Sequence, residues 1–66
     1  MDTLLSVLLF LNVITPGGNY TRTQINDFAT IYSAQINVIE NNFGELISIV
    51  NEYDPEAYVI LDNLGG

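Results

Sequence analysis

A chain of 66 residues builds at most one domain, near the size at which a single core barely holds itself together. It contains neither Cys nor His, so disulfides and thiolate or imidazole zinc sites are excluded as staples. Hydrophobic residues make up 48% of the chain and charged residues 14%, which rules out a disordered acidic tail, while eight carboxylates against one base, Arg22, give a formal charge of -7 that disfavours nucleic acid and anionic lipid as direct partners.

The first segment, Asp2 to Ile14, is apolar almost all round, with Ser6 and Asn12 as its interior polar positions. A helix over about residues 2–14 is expected, and a helix of this kind must be covered on most sides. A buried strand is the alternative for so short an apolar run. The run falls short of the ~20 residues that cross a bilayer, and it lacks the positive flank of a secretory signal. Membrane association is therefore disfavoured, and a cytoplasmic or particle-bound location is expected. Thr15-Pro16-Gly17-Gly18-Asn19 interrupts any regular structure, so a loop is expected over residues 15–21.

Thr21-Arg22-Thr23-Gln24 has the form of a capping box, with Tyr20 and Ile25 at the two positions of a hydrophobic staple. A helix should begin here. Ile25, Phe28, Tyr32, Ile36, Ile39, Phe43, Leu46, Val50 and Tyr53 then follow at steps of three and four, the helical period. The stripe keeps its phase across Asn41-Asn42-Phe43-Gly44, which predicts one long helix over about residues 22–53. The alternative is a helix pair, with Asn42 capping a new start and Glu45 three positions on.

Asp54-Pro55-Glu56 places a capping carboxylate before a Pro at a first helical position, so a short last helix is expected over about residues 55–64, stopped by Gly65-Gly66. Tyr58-Val59-Ile60-Leu61 is rich in strand formers, and a short strand is the competing reading. The expected fold class is all-α: a small helical domain with an apolar N-terminal helix, one long central helix, continuous or broken, and a short C-terminal helix. The alternative is α+β, with short strands at the N- and C-terminal apolar runs.

On a helical wheel Ile31, Val38 and Ile49 flank the stripe and widen its apolar arc to about half the circumference, more than one neighbouring helix covers. Contact with another chain is expected to cover the rest. The interface would draw on Leu5, Leu8, Leu9 and Phe10 of the first segment and on Phe28, Ile31, Tyr32, Val38, Phe43, Ile49, Tyr53 and Tyr58 beyond it, the tyrosines being residues favoured where one end is apolar and the other wet. A compact monomer whose long helix breaks at Gly44 and folds back is the competing arrangement.

Catalysis needs a nucleophile beside a base, a metal, or carboxylates held at different pKa values. Glu52, Asp54 and Glu56 cluster in sequence, but they stand where helix caps and first-turn acids belong. No enzyme activity, metal or cofactor is expected. The function expected is a structural or assembly subunit acting through protein contacts, in a homo-oligomer or a larger assembly such as a virus particle. Two alternatives are an acidic inhibitor occupying the nucleic-acid-binding groove of a host enzyme and a small membrane-associated protein. Glu52-Tyr53-Asp54-Pro55-Glu56-Ala57-Tyr58-Val59-Ile60-Leu61-Asp62 resembles the last strand region of phage uracil-DNA glycosylase inhibitors. That resemblance implies a strand here and the inhibitor function; it covers a small part of the chain, and the acidic first strand of those inhibitors has no counterpart.

Overall fold

A computed structural model describes residues 3–65. Four helices account for most of them: α1 (Thr3–Phe10), α2 (Arg22–Ile31), α3 (Ser33–Glu40) and α4 (Phe43–Asp62). Among the described residues the one β-type pairing is an isolated bridge between Thr21 and Gly65. The class is all-α, and the α+β alternative falls away.

The most apolar segment forms the centre. Leu5, Ser6, Val7, Leu8 and Leu9 are all buried, and α1 touches α2, α3 and α4, most extensively α4. The two run in opposite directions, because Leu4 lies beside Leu61 and Leu64 at one end while the ring of Phe10 meets that of Tyr53 edge-on at 6.3 Å at the other. The helix is shorter than the expected residues 2–14. It stops at Phe10 because the chain turns through Asn12, whose φ of 61° is a left-handed conformation that Asn tolerates better than bulkier residues. The amide of Val13 then reaches the Leu8 carbonyl at 3.0 Å, and Ile14 is returned to the core. Asp2 lies outside the described residues.

The loop over residues 15–21 is organised by one aromatic side chain. Thr15 N–H donates to the Tyr20 hydroxyl at 3.0 Å, and the Tyr20 ring rests edge-on against Phe28 at 6.3 Å, one turn beyond the expected staple partner Ile25. That ring passes so close to Gly18 that an added Cβ would lie 2.6 Å from it. Gly17 supplies the turn itself with a φ of 80°, which a residue with a Cβ adopts only under strain. The capping box forms as read: Gln24 N–H donates to Thr21 Oγ1 at 3.1 Å, and Thr21 N–H donates to Gln24 Oε1 at 2.8 Å. The chain's far end completes this start, since Arg22 N–H donates to the Gly65 carbonyl at 3.1 Å and Gly65 N–H to the Tyr20 carbonyl at 3.0 Å.

The single helix expected over residues 22–53 is instead three helices. At Tyr32 (φ -102°, ψ 20°) the chain only bends, because the amides of Tyr32 and Ile36 still find the carbonyls of Phe28 and Tyr32 at 2.9 and 3.0 Å. Just before the bend, Thr30 Oγ1 donates to the Asn26 carbonyl at 3.1 Å, a side-chain competition with the ladder that bends helices. Between α3 and α4 the break is complete. Asn42 moves to φ -107°, ψ 91°, and its Oδ1 accepts from Glu45 N–H at 3.2 Å. The helix-pair alternative is correct at this point. A shared register did not require continuity: Ile25, Ile36, Ile39, Leu46 and Tyr53 all reach the common core, because each segment turns the same face inward.

Conversely, the boundary expected at Asp54-Pro55-Glu56 does not exist, and the short helix expected over 55–64 is the second half of α4. Pro55 sits inside the helix. The carbonyl it leaves without an amide belongs to Asn51, and both residues are exposed, on the side of the helix where solvent is available to what the ladder loses. The cost of about 3 kcal/mol for Pro in a helix interior is offset by carrying Ala57 and Ile60 into the core, at 0% and 1% exposure. The strand-forming run Tyr58 to Leu61 follows the same helix, because only the helical period sends Ala57 and Ile60 inward together.

The folded surface, 4007 Å², is close to the roughly 4,200 Å² expected of a compact monomer of this mass. The radius of gyration, 11.0 Å, likewise matches the about 11 Å expected for this length. The buried core is enclosed by the chain's own helices. Pro55→Ala restores the missing amide and should raise stability by up to about 3 kcal/mol, read as a higher urea midpoint at unchanged slope. Gly18→Ala should displace the Tyr20 ring and lower stability by about 1–3 kcal/mol in the same titration.

Candidate protein-contact surface

With the core closed from within, the informative residues are the large apolar ones left outside it. Phe10, Ile31, Val38, Phe43, Ile47, Tyr58 and Val59 are exposed, most of all Ile31, Val38 and Phe43 at 68%, 72% and 73%. Ile31 ends α2, and Val38 lies seven positions on in α3; because the hydrogen-bond ladder persists through Tyr32, that spacing keeps them on similar faces. Phe43 opens α4 with Ile47 one turn later, and residues four apart on a helix are neighbours. Only Asn41 and Asn42 separate α3 from α4, so Val38 precedes and Phe43 and Ile47 follow that short link.

Glu40 and Glu45 are exposed as well, but Glu40 is two positions from Val38 and Glu45 two from both Phe43 and Ile47, so neither acid shares the face of those apolar residues. Glu45 is in the first turn of α4, where the helix dipole favours an acid. Glu40 closes α3 with no base in the last turn, at the negative end of the dipole, an adverse placement of about 0.3–1 kcal/mol. The chain's single base, Arg22, starts α2, and no ion pair joins it to Glu40 among the described residues.

The residues expected at an interface divide into three groups. Leu5, Leu8, Leu9 and Ile49 are buried in the chain's own core and present no surface, because α1 is clad by three helices and because α4, starting afresh at Phe43, turns Ile49 inward. Phe28, Tyr32 and Tyr53 are half-buried against that core. Phe10, Ile31, Val38, Phe43 and Tyr58 are exposed. Ile47 and Val59 belong with the last group and were not anticipated; Ile47 was readable as the i+4 neighbour of Phe43 once Asn42 is taken as a cap.

The acidic cluster Glu52, Asp54 and Glu56 lies within α4 and caps nothing. Asp54 and Glu56, two apart, do not face each other on a helix. One oxygen of each, Asp54 Oδ1 and Glu56 Oε2, is buried with no hydrogen-bond partner among the described residues. No group of three or more metal-ligating residues gathers among the described residues. A pocket of about 180 Å³ lies between α1, α2 and α4, lined by Leu4, Leu5, Arg22, Ile25, Asn26, Leu61 and Leu64; it is smaller than the roughly 300–1,000 Å³ of typical ligand sites. No helix among the described residues is long and apolar enough to cross a membrane.

No family model matches the sequence, and searches of curated proteins and of solved structures return no match. The resemblance of Glu52–Asp62 to a strand of uracil-DNA glycosylase inhibitors does not hold in three dimensions, since those residues form the second half of α4.

Residues outside the core should be dispensable for folding. Val38→Ser and Phe43→Ser are expected to change stability by less than about 0.5 kcal/mol, whereas Leu8→Ala and Ile49→Ala should each cost about 2–5 kcal/mol. Urea unfolding followed by circular dichroism separates the two classes.

Proposed function

We propose that the protein is a non-catalytic structural or assembly subunit that acts through protein–protein contact, in a homo-oligomer or a larger complex such as a virus particle. The observation that supports this reading is that Val38, Phe43 and Ile47, large apolar side chains near the α3–α4 link, stay exposed on a domain whose core is enclosed by its own helices. Burying a side chain of this size is worth about 1.5–3 kcal/mol. Against a total stability of a few kcal/mol for so small a domain, leaving three of them wet is a substantial concession, and apolar clusters that remain on a surface mark contact sites more often than isolated ones do.

Charge supports a second reading, an acidic inhibitor of a nucleic-acid-processing enzyme. Asp27, Glu40, Glu45, Glu52 and Asp62 are all exposed against the single base Arg22, which suits a basic groove. Recovery of such an enzyme with the chain, lost steeply as salt rises, would favour this reading over the first.

Sedimentation of a gentle extract of the native source, with the chain detected by antibody, tests the assembly reading. Migration in a particle far heavier than its own 7.3 kDa is expected; a solitary molecule at its natural concentration would overturn the reading.

A further inference from the structure

We infer that the pocket where α1 and α2 begin and α4 ends is a binding site for a small monocarboxylate, one whose apolar body is about the size of one ring or a six-carbon chain. The inference stands apart from the contact reading, because the pocket shares no residue with the exposed apolar side chains near the α3–α4 link.

The pocket has two kinds of wall. Its floor is apolar: Leu5 and Ile25 are buried, and Leu4, Leu61 and Leu64 are half-buried against the same core. Its rim is polar, formed by Arg22 and Asn26, both exposed. Arg22, Ile25 and Asn26 fall at i, i+3 and i+4 of α2 and so share one face, which sets the chain's single base beside apolar lining. The Arg22 side chain makes no ion pair or hydrogen bond among the described residues, although the chain carries eight carboxylates. A volume of about 180 Å³ is too small for a drug-sized molecule, yet a cavity of about 150 Å³ lined by Leu, Ile and Phe holds benzene. One ring or a short chain therefore fits over the floor while its carboxylate meets the planar fork of N–H donors on Arg22. A lone guanidinium matches a single negative charge; a phosphate dianion, with more acceptor oxygens, calls for more donors than Arg22 and Asn26 supply.

Amide NMR titration of the full chain at constant neutral pH with hexanoate, 1-hexanol and hexylammonium tests this. The net charge of -7 by itself favours the cation and repels the anion, so tightest binding of hexanoate is a mark of Arg22 and not of the overall field. Hexanoate should shift amides at the starts of α1 and α2 and at the end of α4, about threefold or more tightly than hexanol, with hexylammonium weakest. Arg22→Gln should weaken hexanoate about three- to fivefold, as expected of a solvent-accessible ion pair, and leave hexanol unchanged, a split that loss of structure does not produce. Leu64→Phe, checked for an unchanged circular dichroism spectrum, should fill the pocket and weaken both ligands roughly tenfold. The proposal is overturned if hexanoate shifts no amides there, if hexanol or hexylammonium binds as tightly, if Arg22→Gln binds hexanoate like the parent, or if Leu64→Phe leaves both ligands unaffected.

Discussion

The constraint on which the structure depends is the need to clad α1. Five consecutive buried residues, Leu5 to Leu9, leave that helix no face that tolerates water, and a chain this short has to supply the cover itself. A straight helix over residues 22–53 would measure about 48 Å, several times the about 12 Å of an eight-residue rod, so most of its apolar stripe would extend past anything able to bury it. Breaking it into α2, α3 and α4 wraps the stripe around the rod. The resulting body has a longest dimension of 31 Å. The bend at Tyr32 and the break at Asn41-Asn42 are therefore consequences of the first segment's composition as much as of local sequence.

This explains which parts of the fold were legible in the sequence and which were not. The capping box at Thr21 and Gln24 is a local device, complete within four residues, and it forms as read. Asn42 carries an equally local signal, outweighed in reading by the unbroken phase of the apolar stripe. Periodicity reports which face each residue turns to a core and is silent on whether the axis is straight, so three short helices around one rod produce the same stripe as one long helix against a flat partner. Pro55 misled in the opposite direction. Its local signal is strong, but Ala57 and Ile60 are needed inside, and tertiary burial overrides a helix-breaking residue whose orphaned carbonyl faces water.

The surface was harder to read, for a related reason. Leu5, Leu8, Leu9 and Ile49 were conspicuous candidates for contact because they are the most apolar, and in a chain that can close its own core the most apolar residues are the first to disappear into it. What remains outside is decided by geometry near the breaks. Phe43 belongs to the stripe by sequence yet is exposed because α4 begins at that residue, before the helix has come alongside α1. Val38 was visible as a flank residue, and Ile47 only becomes so when the start of α4 is known. The carboxylates Glu40 and Glu45 acquire their meaning from the same break, one at the unfavourable end of a dipole and the other at a favourable end.

The pairing of α1 with α4 has a consequence for biosynthesis. The ribosome delivers the Leu-rich rod well before its principal cover, so until α4 follows this stretch lacks its main native mate, and the Gly65 clasp on Tyr20 and Arg22 closes only once Gly65 has emerged. Native contacts between residues far apart in sequence delay folding relative to local helical hairpins, and an oily nascent segment kept waiting attracts holdase chaperones.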